Sequence, residues 1–470
     1  MRLIFPKMKN IFRNYFSGYE KPGGIKDLML LALPMVVSSA CDGVMTFTDR
    51  LFLSRVGPEQ MNAALGGGVT MQTLTFFIMG LTGYATALVA QYYGAGQKAK
   101  ASKASFQAIL ITMAAWPVIL LIKPLAVSFF HLANIPELQI VHQTEYFNIL
   151  AWGSLFSMMR YTLGCYFTGI GKTRIVMIAT LVAMLVNVVL DYVLIFGHFG
   201  FPVLGIRGAA IATVSGSLCA LVFLIFPYFN RINRFEFSVM KSFRYDKALM
   251  RKFLYYGMPA GLEMFLNFLS FFLITIIFQS EGDIAATAST IMFNWDLVSF
   301  IPLVGIEVAV TSLVGRYMGA EKPDVAYRSA ISGVKTGIFY SAVILLLFVF
   351  IPELLVNVFH PGVQNQVFDS AVPIAVKMIR IAALYVLADS MMVSFVGALR
   401  GAGDTHFVMY ASVSANWILL LVVYVSCKIF HTSVEISWLL MVLFYLVYCI
   451  ILASRFLGGK WKKISVVNQH

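Results

Sequence analysis

The chain has 470 residues, of which 59% are hydrophobic and only 12% charged, against about 25% charged in soluble domains. Too few polar side chains remain to cover a water-soluble protein of this size, which excludes a soluble enzyme, a disordered chain and a nucleic-acid binder. The net charge of +13 would suggest nucleic acid in a soluble protein, but here Lys and Arg lie between long apolar runs, where they set membrane orientation.

A helix that crosses a bilayer needs roughly 17–25 mostly apolar residues. Such stretches run, in chain order, near 28–55, 62–93, 102–130, 144–168, 174–197, 206–229, 249–280, 284–315, 326–358, 373–400, 405–430 and 434–456. The expected fold is therefore an all-α integral membrane protein with twelve transmembrane helices. The first span has no cleavage site after it and reads as a retained helix. Apart from the six within spans, only Arg55, Arg207 and Lys428, at span ends, fall on one side. The opposite side carries a basic lead (Arg2, Lys7, Lys9, Arg13, Lys21, Lys26), the 98–103 and 172–174 loops, the 230–252 stretch and the basic end after residue 454. That asymmetry predicts a multi-pass protein of the cell (inner) membrane with both termini cytoplasmic. The five Cys all sit in apolar stretches and read as small core residues, not as a disulfide framework or metal site.

The chain repeats itself. LVAQYYGAG at 88–96 resembles LVGRYMGAE at 313–321, and the same offset pairs Pro34 with Pro259 and Gly80 with Gly305. FTGIGKT at 167–173 pairs with LRGAGDT at 399–405. The expected organisation is an N-terminal lobe, 1–229, a cytoplasmic linker, 230–248, and a C-terminal lobe, 249–470, as parallel repeats of six spans. A substrate cavity between lobes follows from that plan.

Ionisable residues inside spans are costly and signal function by default. Asp42 and Asp49 are seven apart on the first span and are expected on one face. Asn187 and Asp191 are i, i+4 on the fifth. At about 1.5 Å per residue, Asp49 and Asp191 reach a similar mid to outer depth. Two carboxylates with an amide and hydroxyls could hold a proton or a small cation. The alternatives are a helix cap near Arg50 for Asp49 and a structural hydrogen bond for Asp191. Arg160, deep in the fourth span, reads as counter-charge to a buried acid that the sequence does not name. In the second half, Glu263 shares a face with Asn267, Asp296 precedes Glu307 on the eighth span, and Tyr385 and Asp389 are i, i+4 on the tenth. Packing hydrogen bonds are the alternative for Asp296, and an interfacial structural role for Glu307. IGKT at 170–173 lacks the earlier Gly of a phosphate loop, GAG at 94–96 lacks the later Gly of a dinucleotide fingerprint, and there is no HExxH. No cofactor is expected and no enzyme constellation is found.

Together TDRLFLSRVG at 48–57, LVAQYYGAGQ at 88–97, NVVLDYVLIFG at 187–197, LGIRGAAIAT at 204–213, GMPAGLEMFL at 257–266 and ALYVLADSMMVSFVGALRGAGDT at 383–405 resemble the multidrug and toxic compound extrusion (MATE) family over about residues 25–455. The resemblance implies a monomeric cation-coupled antiporter that exports organic, mainly cationic, compounds in exchange for H⁺ or Na⁺. It implies an N-lobe coupling site at Asp49, Asn187, Asp191 and Thr213, where Na⁺ could bind, and C-lobe roles for Tyr385 and Asp389. The chain departs from the family in one place: the family's span-seven Glu falls on Asn267, and Glu263 lies one turn earlier. Membrane lipids and small organic molecules are the expected partners, with no nucleic acid. A lipid-linked oligosaccharide flippase of the same superfamily is the alternative, but its cavity would need bases, and the buried excess here is acidic.

Overall fold

A computed structural model describes residues 18–132, 136–360 and 366–467; Arg2, Lys7, Lys9 and Arg13 of the basic lead lie outside them. The helices are α1 (Ile25–Val56), α2 (Pro58–Gly83), α3 (Ala85–Gly94), α4 (Lys98–Leu132), α5 (Glu137–Gly169), α6 (Thr173–Phe196), α7 (Ile206–Tyr228), the short α8 (Arg231–Phe235) and α9 (Val239–Ser242), α10 (Lys247–Gln279), α11 (Asp283–Gly319), α12 (Pro323–Phe350), α13 (Pro352–Asn357), α14 (Gln366–Ala382), α15 (Val386–Ala402), α16 (Thr405–Tyr424) and α17 (Val434–Leu457).

Among the described residues, ten helices are long and apolar enough to cross a membrane, α2 and α3 together making one of them. The α14–α15 pair, bent by 50° at a short break, is long and apolar enough to cross only when its two helices are taken together. The remaining predicted span, 144–168, lies in α5, which is 33 residues long and is not among those ten. It packs against α2, α4 and α7, which buries Gln143 and Ser154 among its polar side chains. Large apolar side chains stand exposed along the spans, as at Leu121, Leu125, Phe226 and Ile450. The cysteines are all free, with Cys219 exposed and the other four buried.

The packing repeats with the sequence. In the first half α2 pairs with α5, α5 with α7, α6 with α7 and α4 with α5; in the second, α11 pairs with α15, α15 with α17, α16 with α17 and α12 with α15. The chain forms two compact units. One comprises residues up to Leu33 with Leu266–Ser465; the other comprises Pro34–Phe265 and the last residues from Val466. The changeovers fall inside α1, at Pro34, and inside α10, shortly after Pro259. Proline removes a backbone donor and bends a helix, so the repeated prolines stand where each helix passes between units.

The 230–248 stretch is folded against the unit that contains it. Asn230 caps α8 through the Asn233 amide at 2.8 Å. Ser102 donates to the Phe237 carbonyl at 2.6 Å, Gln107 to the Arg244 carbonyl at 3.1 Å, and Lys98 pairs with Glu236 at 2.6 Å. The Phe237 ring is buried beside Tyr93 and Tyr166. Asp246 caps α10 by accepting from the Leu249 amide at 3.0 Å.

Candidate functional site

Three helices build the first site, and glycine sets their approach. Before α7, Gly205 adopts φ +53, and a Cβ there would lie 2.5 Å from the Gln60 side-chain oxygen. The same oxygen accepts the Ile206 amide at 2.8 Å, closing the start of α7. Three turns on, a Cβ at Gly216 would meet the Ala183 carbonyl at 2.7 Å and the Asn187 Cβ at 3.3 Å. Its absence lets α6 and α7 touch, which brings Asn187 to Thr213.

There, Asn187 Nδ2 donates to Asp49 Oδ1 at 3.1 Å, and Thr213 Oγ1 donates to Asp49 Oδ2 at 3.0 Å. Asn187 Nδ2 also lies 3.4 Å from Thr213 Oγ1. Asp191 is fully buried and faces Asp49 and Asn187. Neither Asp191 oxygen, nor Asn187 Oδ1, meets a donor among the described residues. Tyr146 of α5 completes the group: its ring is buried, and its hydroxyl interacts with Thr213 and faces both carboxylates. Sequence reasoning missed it because one Tyr among 21 carries no signal; the clue was its place in the polar start of α5. Leu53, Ala63, Ile195, Ile206 and Ala209 form the apolar shell. The group offers only oxygen donors around acids without enough hydrogens to satisfy them. A shared proton, or a small hard cation, would satisfy those oxygens.

Asp42 does not join this group. It is exposed where Asp49 is buried, so the face that the two share by spacing meets neighbours only at Asp49. It is instead the missing partner of Arg160, at 3.2 Å.

The residues expected to act together in the second half separate into several places. Tyr385 sits at the α14–α15 break and donates to Asp296 on α11. Asp389, whose amide donates to the Tyr385 carbonyl at 2.8 Å, faces Asp296 and Glu307. Tyr445 of α17, not singled out from sequence, stacks on Tyr385 with ring centres 5.8 Å apart and faces both aspartates. Glu307 is paired with Arg400. Asn267 donates to Ser412 at 2.5 Å and accepts from Asn416 at 3.3 Å. Glu263 is buried at 3% exposure and belongs to the other compact unit from Asn267, the changeover falling between them at Phe265 and Leu266. Among the described residues no cluster of three or more His, Cys, Asp or Glu is arranged to hold a metal.

Comparison with known proteins bears on this arrangement. A protein of Thermotoga maritima described as a probable multidrug resistance protein NorM is 26% identical over 463 residues, covering 98% of both chains. The multidrug resistance protein PmpM of Pseudomonas aeruginosa is 27% identical over 405 residues, covering 84% of this chain and 82% of its own. A solved outward-facing multidrug resistance MATE family transporter of the MOP superfamily superposes with a TM-score of 0.82 at 17% identity, over 93% of this chain and 96% of that one. The MatE family model matches residues 34–193 and 259–425. Those segments take in the greater part of both repeats, and this multi-pass membrane protein belongs to the MatE family.

Proposed function

We propose that this protein is a multidrug efflux antiporter, exporting organic cations in exchange for H⁺ or Na⁺ through alternating access. The observation that carries the coupling is the buried Asp191, whose two oxygens lack a donor beside an already hydrogen-bonded Asp49. An ion arriving from outside satisfies those oxygens, and α1, α6 and α7 repack around the neutralised pair; that two-state repacking is what an ion gradient can bias. The resistance proteins among the relatives support efflux as the direction and drugs as the cargo. For the cargo, the Asp296, Tyr385, Asp389 and Tyr445 cluster presents acids beside stacked rings, a surface that attracts lipophilic cations and offers no bases for the pyrophosphate of a lipid-linked oligosaccharide. The protein works as a monomer in the inner membrane with both termini cytoplasmic.

The test is efflux of a cationic dye from vesicles under an imposed pH or Na⁺ gradient. Wild type should export under at least one gradient, and Asp191→Asn under neither. Gradient-independent export by Asp191→Asn would remove the coupling role, and selective export of anionic dyes would remove the cargo assignment.

A further inference from the structure

Within the unit that holds the second-half helices, the turn before α1 lies on α12 and encloses a cavity of ≈ 160 Å³. Its lining includes Lys21, Ile25, Arg328, Ile331, Ser332 and Lys335. Arg328, Ser332 and Lys335 follow one another at i, i+4 and i+7, a single stripe of α12. The turn is tied to that stripe: Arg328 donates to the Pro22 carbonyl at 3.1 Å, and the buried Ser332 hydroxyl to the Gly23 carbonyl at 3.0 Å. Three cations therefore line one small cavity, and no carboxylate does. The acids nearby in sequence are engaged elsewhere: Glu20 with Lys26 at 3.1 Å, Asp27 with the Gly23 amide at 2.9 Å, and Asp324 with Lys462 at 3.4 Å.

Lys335 is the unusual member. It stands two turns, about 10 Å, beyond Arg328 in a helix apolar enough to cross a membrane, where a cation is expensive. The coupling site does not use it. A long side chain that reaches from inside a span towards head-group level is how membrane proteins keep such a charge, and here it ends in a cavity already carrying Arg328 and Lys21. Basic pockets of this kind beside a membrane-spanning helix attract phosphate head groups. Ile25 and Ile331 in the same wall suit the glycerol ester region of a lipid better than a free ion.

We propose that this cavity binds a phosphate-bearing anion, and that its occupant is the head group of an anionic phospholipid on the cytoplasmic side. The proposal rests on the membrane orientation above but not on antiport, so it is read as binding, without transport. Full-length protein in detergent is offered phosphatidylglycerol, phosphatidylcholine or inorganic phosphate, and bound lipid is counted by native mass spectrometry. Wild type should retain phosphatidylglycerol over phosphatidylcholine. Arg328→Gln with Lys335→Gln should weaken that retention by about fivefold per cation removed. Lys335→Arg should bind as wild type, separating lost charge from misfolding, and Arg234→Gln with Lys241→Gln, in the other unit, should leave retention unchanged. Equal retention by the Arg328→Gln, Lys335→Gln variant and wild type overturns the site. Displacement of the lipid by inorganic phosphate at matched concentration overturns the lipid and makes the site one for a soluble phosphate.

Discussion

Asp49 and Asp191 face each other but live under different conditions. Each Asp49 oxygen accepts a hydrogen bond, while Asp191 is fully buried with two oxygens that meet no donor among the described residues. This asymmetry separates activity from stability. Asp191→Asn replaces a carboxylate without donors by an amide that brings its own, so the melting temperature in detergent should hold or rise while gradient-driven export is lost. A matching loss of fold would mean that Asp191 is structural. Thr213→Val removes one of Asp49's donors and should cost about 1–3 kcal/mol, read as a lower melting temperature; Thr213→Ser should not. The Glu307–Arg400 pair is a different case, because it keeps some exposure. Glu307→Gln alone should lower stability by about 1–3 kcal/mol, and adding Arg400→Met should restore part of it, a recovery that a double-mutant thermal series would detect.

Among the elements, the contact of α6 with α7 determines whether Asn187 reaches Thr213. Gly216→Val would place a branched side chain against the Ala183 carbonyl, 2.7 Å from where a Cβ alone would sit. Overpacking of this kind costs about 1–3 kcal/mol and should reduce export even in protein that still folds, since it parts the two helices at the site. The 230–248 stretch is the second element with a testable dependence. The Leu249 amide, and then Lys103, hold the Asp246 carboxyl below its ordinary value, and Lys98 does the same for Glu236. Groups with lowered values stabilise above the ordinary carboxylate range and lose that contribution as pH falls through the folded value. Amide-exchange protection over 230–250 should therefore be flat from neutral pH to about pH 4 and fall below it. Asp246→Ala should loosen the start of α10 by about 1 kcal/mol at neutral pH, and unchanged protection there would show that Asp246 does not hold the stretch down.

At the scale of the whole molecule, the same helix pairings recur in the two halves, as the motif offsets predict. A parallel repeat of six spans keeps both halves in one orientation, and the distribution of Lys and Arg then assigns the sides. A reporter fused near residue 240 should accordingly read as cytoplasmic, and an external reading would reverse the topology.

Spans and repeat were legible in the sequence because each rests on a one-dimensional property: hydropathy over a bilayer's thickness and a fixed offset between motifs. The Asn187–Asp191 pair was legible too, since i, i+4 spacing places both residues on one helix face before any neighbour is known. Everything that required a second helix was left to the tertiary structure. Asp42 and Asp49, seven apart, differ in burial because only Asp49 meets Asn187 and Thr213. Arg160 acquires its partner, and Tyr146 and Tyr445 enter their clusters, through contacts between spans far apart in the chain. Glu263 and Asn267 share a face by spacing, yet the chain passes from one compact unit to the other between them. Helical periodicity fixes where a side chain points on its own helix; which side chains it then meets is decided by the packing of other helices, and that packing leaves no period in the sequence.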